Sequence, residues 1–188
     1  MALQMAFAVI LYFDRATEAS VQALWDALAE RGVSSVMATM GIRPHISLMG
    51  WEGLAPESLR HELADLAAHT APLITRLSAV CTFPTDQGVV YLAPVVTTEL
   101  VKLHETFHAR LSSLGISSFD YYRPASWIPH CTVALNLPPE GVLVAMDICR
   151  KGRVFGPARL IEIALVEYLP IKEICVFPFG GMIHAKPH

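Results

Sequence analysis

The chain lacks the features that mark several large classes of protein. Its four cysteines, Cys81, Cys131, Cys149 and Cys175, include no C-x-x-C pair. That spacing fits reduced thiols in a core rather than a disulfide framework or a zinc knuckle. Basic residues number 14 against 17 acidic ones, a formal net charge of −3. The cationic excess that grips long nucleic acids through counterion release is therefore missing, and no long nucleic acid is expected as partner. Charged residues make up 16% of the 188 and hydrophobic residues 53%, yet no apolar run approaches the roughly 20 residues of a membrane span, so no membrane role is expected. The apolar run 5–13 has no basic segment before it and no small-residue cleavage site after it. It reads as a buried first strand and not as a signal peptide, and a cytoplasmic location is expected. No Pro/Ser/Gly-rich linker and no block of like charge divides the sequence, so a single domain over 1–188 is expected.

What is present is a short pattern stated twice. Pro44-His45-Ile46-Ser47-Leu48 and Pro129-His130-Cys131-Thr132-Val133 both read Pro-His-apolar-(Ser/Thr)-apolar, 85 positions apart. In a strand, alternate side chains share a face, so His45 lies with Ser47 and His130 with Thr132, while Ile46, Leu48, Cys131 and Val133 point into core. An imidazole that exchanges a proton near neutral pH, beside a hydroxyl that can hold an anionic oxygen, is a unit of acid–base chemistry. A third Pro-His, Pro187-His188, has no such sequel. The dipeptide alone therefore means little, and the hydroxyl at +2 with its apolar neighbours carries the signal.

The surroundings of the two motifs repeat as well. Val21, Leu24, Trp25 and Leu28 form a helical stripe ending at Gly32, and Val96, Leu100, Leu103, Phe107 and Leu114 form another ending at Gly115. Each precedes a His strand. After each motif a proline opens a further helix: Pro56 with Leu59, Leu63 and Leu66, and Pro138-Pro139 with Val142, Leu143 and Met146. Strand candidates follow in pairs, about 73–83 with 89–93 and 158–169 with 173–177. Helix, His strand, helix, strand, strand, stated twice, predicts a bilobal α+β fold. Two similar lobes of antiparallel-type sheet with helices, near 15–93 and 96–179, would be related by a pseudo-two-fold around a central groove.

At these motifs the sequence resembles the 2H phosphoesterase superfamily, which includes RNA 2′,3′-cyclic phosphodiesterases of the bacterial 2′-5′ RNA ligase (LigT-like) type. The resemblance implies metal-independent hydrolysis of 2′,3′-cyclic phosphodiesters on RNA ends or nucleotides, with reversible 2′-5′ ligation as a further activity. It implies a small nucleotide or RNA-end substrate and no cofactor. Carried over, His45 and His130 are the catalytic pair, with His130 as base and His45 as acid, and Ser47 and Thr132 hold the phosphate oxygens. Trp127 fits as an aromatic before the second motif. Ser47 stands where Thr is commoner, and Cys131 where an aliphatic residue is usual. Arg43, two residues before His45, is expected on the same strand face, adding positive charge beside the phosphate. Tyr121, Tyr122 and Trp127 are candidates for stacking on a base.

Two rival functions arise from the same chain. A non-catalytic nucleotide or RNA-end binding module would keep the groove, but binding alone does not require two imidazoles in opposed protonation states. The second is a zinc hydrolase, because His104-Glu105-Thr106-Phe107-His108 is H-E-x-x-H on a predicted helix. No G-x-x-H follows, and both histidines flank the apolar stripe, so a surface pair on a helix flank is expected and no metal site is assigned.

Overall fold

The computed structural model describes residues 6–53, 57–168 and 171–180. Its spine is β6 (Gly156–Tyr168), a 13-residue strand long enough to serve both halves of the chain. Along one edge β6 pairs with β1 (Ala6–Phe13), from Phe13 opposite Leu160 to Ala6 opposite Tyr168. The other edge is divided. Its first residues pair with β3 (Leu73–Thr82), Leu77 opposite Gly156 and Leu73 opposite Leu160, and its later ones with β7 (Lys172–Pro178). β2 (His45–Glu52) adds to β1, β4 (Val90–Pro94) to β3, and β5 (Cys131–Ala134) to β4. All pairings are antiparallel, and the order is β2-β1-β6-β3-β4-β5 with β7 also on β6. The fold is α+β, as the sequence predicts. The strands of the two halves form one sheet, joined through β6, where the repeat alone suggests two.

The helices follow in the doubled order. After β1 come α1 (Arg15–Glu30), the one-turn α2 (Val36–Thr39), β2, α3 (Glu57–Ala68), β3 and β4. Then come α4 (Thr98–Ser112), a 3₁₀ turn at Asp120–Tyr122, β5, α5 (Pro139–Lys151), β6 and β7. Asp14 caps α1 by accepting from the Ala16 and Thr17 N–H groups, and Thr97 caps α4 by accepting from Leu100 N–H. The predicted stripe of α1 is buried, and α4 buries Leu100, Leu103, His104, Phe107 and Leu111. Two stripe members are corrected. Val96 precedes the Thr97 cap and is exposed. Leu143 is 71% exposed, because a helix begun at Pro139 turns Ala145, Ile148 and Cys149 to the core and Leu143 away. Pro56 lies outside the described residues, although α3 buries Leu59, Leu63 and Leu66 as expected.

The helices are exchanged between the halves. α1, which follows β1, packs against β5 and α5, and α5 covers β3 and β4. α3 covers β6 and β7, with α4 beside it. No helix among the described residues is long and apolar enough to cross a membrane. Because β6 belongs to both halves, they should unfold together. Ile163, fully buried in β6 between Leu11 and Phe177, tests this. Ile163→Ala should lower stability by about 2–5 kcal/mol, and urea unfolding followed by tryptophan fluorescence and far-UV circular dichroism should give one coincident transition.

Candidate active site

β2 and β5 stand at opposite ends of the strand order, yet they touch. The sheet therefore curls until its two motif-bearing edges meet. The main-chain N–H of His45 hydrogen-bonds the buried Cys131 thiol, joining one motif to the other. His45 and His130 are close enough that charge on His130 disfavours charge on His45.

Each motif is built in the same way. Nδ1–H of His45 donates to the Arg43 carbonyl at 2.8 Å, and Nδ1–H of His130 donates to the Ile128 carbonyl at 2.7 Å. A carbonyl only accepts, so both rings carry their proton on Nδ1 when neutral and keep the Nε2 lone pair free. Both strands also bulge at one point. Val9 pairs with Met49 and Ile10 with Ser47, leaving Leu48 extra, and Val90 pairs with Ala134 and Tyr91 with Thr132, leaving Val133 extra. The added residue in each case follows the hydroxyl residue of the motif, and both added residues, Leu48 and Val133, are buried.

Burial depresses both imidazoles. His45 is held down to about 4 by desolvation, with His130 adding to the effect, and His130 is lowered by desolvation. His130 lies edge-on to Phe83 at 5.0 Å and to Tyr91 at 5.3 Å, and these two rings stack on each other at 4.4 Å. Neither aromatic stands out in the sequence; the only signal is the register that sets Tyr91 opposite Thr132.

The other expected site residues have mixed fates. Tyr122 is not a free stacking ring. Its phenol and the Ser47 hydroxyl share a hydrogen bond, and burial pushes it up to about 12. Gly50 makes this possible, since a Cβ there would sit 3.2 Å from Tyr122 and 3.3 Å from Phe119. Tyr121 is 61% exposed and stacks on Phe119. Trp127 lies flat against His104, centroids 3.8 Å apart at 2°, and its Nε1–H donates to the Ser47 carbonyl at 2.9 Å. Across the site, Trp25 of α1 donates to the Thr132 carbonyl at 3.2 Å, a contact its place in a core stripe does not reveal.

Arg43 does not present a free guanidinium to the site. Nε and Nη2 grip Glu18 at 3.0 Å each, Nη1 grips Glu162 at 2.9 Å, and the cation lies 4.0 Å over the Tyr12 ring. Its partners come from α1 and β6, which strand alternation around position 45 cannot disclose. Arg43 thereby anchors the peptide whose carbonyl holds His45.

The H-E-x-x-H pair is also corrected: it is not a surface pair. His104 is 1% exposed, and His104 and His108 both donate through Nε2–H to the Leu48 carbonyl, at 3.1 and 3.2 Å. The bulge at Leu48 turns that carbonyl to the helix. Among the described residues no third His, Cys, Asp or Glu joins them to form a metal-binding group.

Two motifs of one design thus meet where β2 touches β5. The model of the 2′-5′ RNA ligase superfamily matches residues 13–170. The chain belongs to the 2′-5′ RNA ligase superfamily. Among curated proteins none matches it. Solved structures share the fold of this superfamily member at low identity. An Escherichia coli LigT complexed with 3′-AMP is 13% identical with a TM-score of 0.59, covering 95% of this chain and 99% of that one. A protein described as a phosphoesterase is 14% identical, with a TM-score of 0.58 and coverage of 95% and 99%. The TT0787 protein of Thermus thermophilus is 18% identical, with a TM-score of 0.56 and coverage of 94% and 98%.

Two outcomes are expected from this arrangement. His45, His104, His108 and His130 all fall below the ordinary imidazole value of about 6.5, His45 and His104 to about 4. Between these values the unfolded chain binds more protons than the folded one, so stability is full above about pH 6.5 and is lost as pH falls toward 4. Urea midpoints measured from pH 7.5 to 4.5 should fall, and less steeply in His45→Gln. Arg43→Gln leaves two half-buried carboxylates without their cation and should cost about 2 kcal/mol, with a larger effect on stability than on KM.

Proposed function

We propose that this member of the superfamily opens 2′,3′-cyclic phosphodiesters, at the end of a short RNA or on a nucleotide, by acid–base catalysis between His45 and His130. The observation that carries the proposal is the matched pair of imidazoles, each with Nδ1–H on a carbonyl two residues back and Nε2 free, where β2 meets β5. Nε2 of the neutral ring takes a proton from water as its oxygen bonds to phosphorus. Nε2–H of the charged ring gives its proton to the ribose oxygen as the old P–O bond breaks. Each positioned transfer contributes about 10²–10⁴-fold. The product is a phosphomonoester, and with a ribose 5′-hydroxyl in place of water as nucleophile, and the 3′-oxygen leaving, the same two proton transfers join a 2′-5′ bond.

Family resemblance alone favours His130 as base. The electrostatics favour the opposite assignment, because His45 is the more strongly depressed and loses its proton first. His45 is then the base and His130 the acid. Ser47, backed by the Tyr122 phenol, and Thr132 donate to the non-bridging oxygens. Tyr121 is left as the ring available to stack on a base, since His104 occupies a face of Trp127. Crystals of the E. coli LigT hold 3′-AMP, NADP+ and ATP, which supports a ligand of nucleotide size.

Incubation with 2′,3′-cyclic nucleotides and with a short RNA ending in a cyclic phosphate, with EDTA present, should yield a single phosphomonoester isomer. Uptake of these ligands without turnover would favour a binding module instead. His45→Ala and His130→Ala should each cost at least about 10²-fold, and the double variant far less than the product of the two. In the free protein kcat/KM should be bell-shaped, with an acidic limb near pH 4 and a basic limb below the ordinary imidazole value. The limbs of kcat should lie higher, because the substrate phosphate favours the charged imidazole. A well-folded double variant hydrolysing at the parental rate would sink the mechanism.

A further inference from the structure

The H-E-x-x-H helix has no place in the reaction just described, yet its first histidine is buried at the first motif strand. Three contacts converge there. His104 and His108 both hold the Leu48 carbonyl, which the bulge of β2 releases from the sheet. The His104 ring also bonds to the main chain of Tyr122, in the turn that leads to the second motif. Trp127 lies parallel on the His104 ring and hands its indole N–H to the Ser47 carbonyl. Trp127 immediately precedes Ile128, whose carbonyl holds Nδ1–H of His130. A chain of contacts thus runs from α4 and β2, through His104 and Trp127, to the peptide that decides the tautomer and direction of His130.

We propose that Trp127 is a positioning residue for His130, held in place by His104. By bonding to the first motif strand while abutting the carbonyl that orients the second histidine, it sets the distance between the base and the acid. The rings of Phe83 and Tyr91 flank the His130 imidazole, but the main chain that leads to it lies ahead of the sheet: Ile128 is 50% exposed, and β5 begins only at Cys131. The loop 123–130 is tied by Trp127 at its middle, where its main-chain N–H also donates to the Arg123 carbonyl at 2.9 Å. His45 needs no such strut, because Arg43 is clamped by Glu18 and Glu162. A small displacement of a positioned catalytic group costs up to about 10²-fold without weakening substrate binding.

The inference rests on the two-histidine reading above, and the test separates the two. Trp127→Phe keeps a ring on His104 and removes the indole donor. His104→Phe keeps the stack and removes the bond to Leu48, and His104→Gln keeps a donor and removes the stack. Steady-state kinetics with a 2′,3′-cyclic nucleotide should show kcat reduced about 10–100-fold in Trp127→Phe, with KM within about threefold and the basic limb of the pH profile displaced. His104→Phe should fall in the same direction and His104→Gln lie between. Independently of activity, imidazole ¹⁵N spectra should report His130 as the Nδ1–H tautomer in the parent and a tautomer mixture in Trp127→Phe. If the parent protein turns over no cyclic phosphate, the functional reading fails, and the spectra still decide the brace. Parental kinetics and an unchanged His130 tautomer in Trp127→Phe would overturn the proposal. So would a loss of kcat with the tautomer unchanged, which would leave Trp127 a purely structural part.

Discussion

Everything at this site depends on where two protons sit. An imidazole serves as base or acid at a chosen point only if one nitrogen is committed elsewhere, and in both motifs a backbone carbonyl two residues upstream takes Nδ1–H. In β2 strand alternation turns the ring and its neighbouring hydroxyl to one face, and the proline before each histidine restricts the approach of the chain. The rest of the molecule keeps those two carbonyls, Arg43 and Ile128, in register with each other.

The register is kept by exchange between the halves. α1 belongs to the first half of the chain but sends Trp25 to the second motif strand, while α4 belongs to the second half and sends His104 and His108 to the first. β6 joins the two sets of strands, and Arg43 ties the entrance of β2 to α1 and β6 at once. Neither motif is complete with its own half alone. This also accounts for the buried histidines of α4: neutral imidazoles supply directional N–H donors for a bulged carbonyl that the sheet leaves unpaired.

The extended elements are legible because their patterns are local. Apolar stripes at 3.6-residue spacing mark α1, α3 and most of α4, and the doubled order of elements emerges from stripes, prolines and paired apolar runs. Errors arise where phase or partner is nonlocal. Leu143 faces solvent because the start of α5 sets the phase, and Val96 lies outside α4 because Thr97 takes the cap. Tyr122 and Trp127 lie beside the first motif, but not as free stacking rings; their polar ends bond to the hydroxyl and the carbonyl of Ser47.

The sequence by itself determined that His45 and Ser47 alternate onto one face of a strand, since the pattern carries its own period, whereas His130 proves to stand just ahead of β5, which begins at Cys131. It also determined the antiparallel α+β class, through periodicity and the order of elements. Tertiary structure alone decided which charges surround the site: Arg43 is neutralised by Glu18 and Glu162, far away in sequence. It likewise decided that the H-E-x-x-H histidines support a strand, and that His45 is the deeper and more strongly depressed of the pair. The physical reason is common to all three. Burial and partner choice depend on which segments the curled sheet brings together, and those contacts span the whole chain.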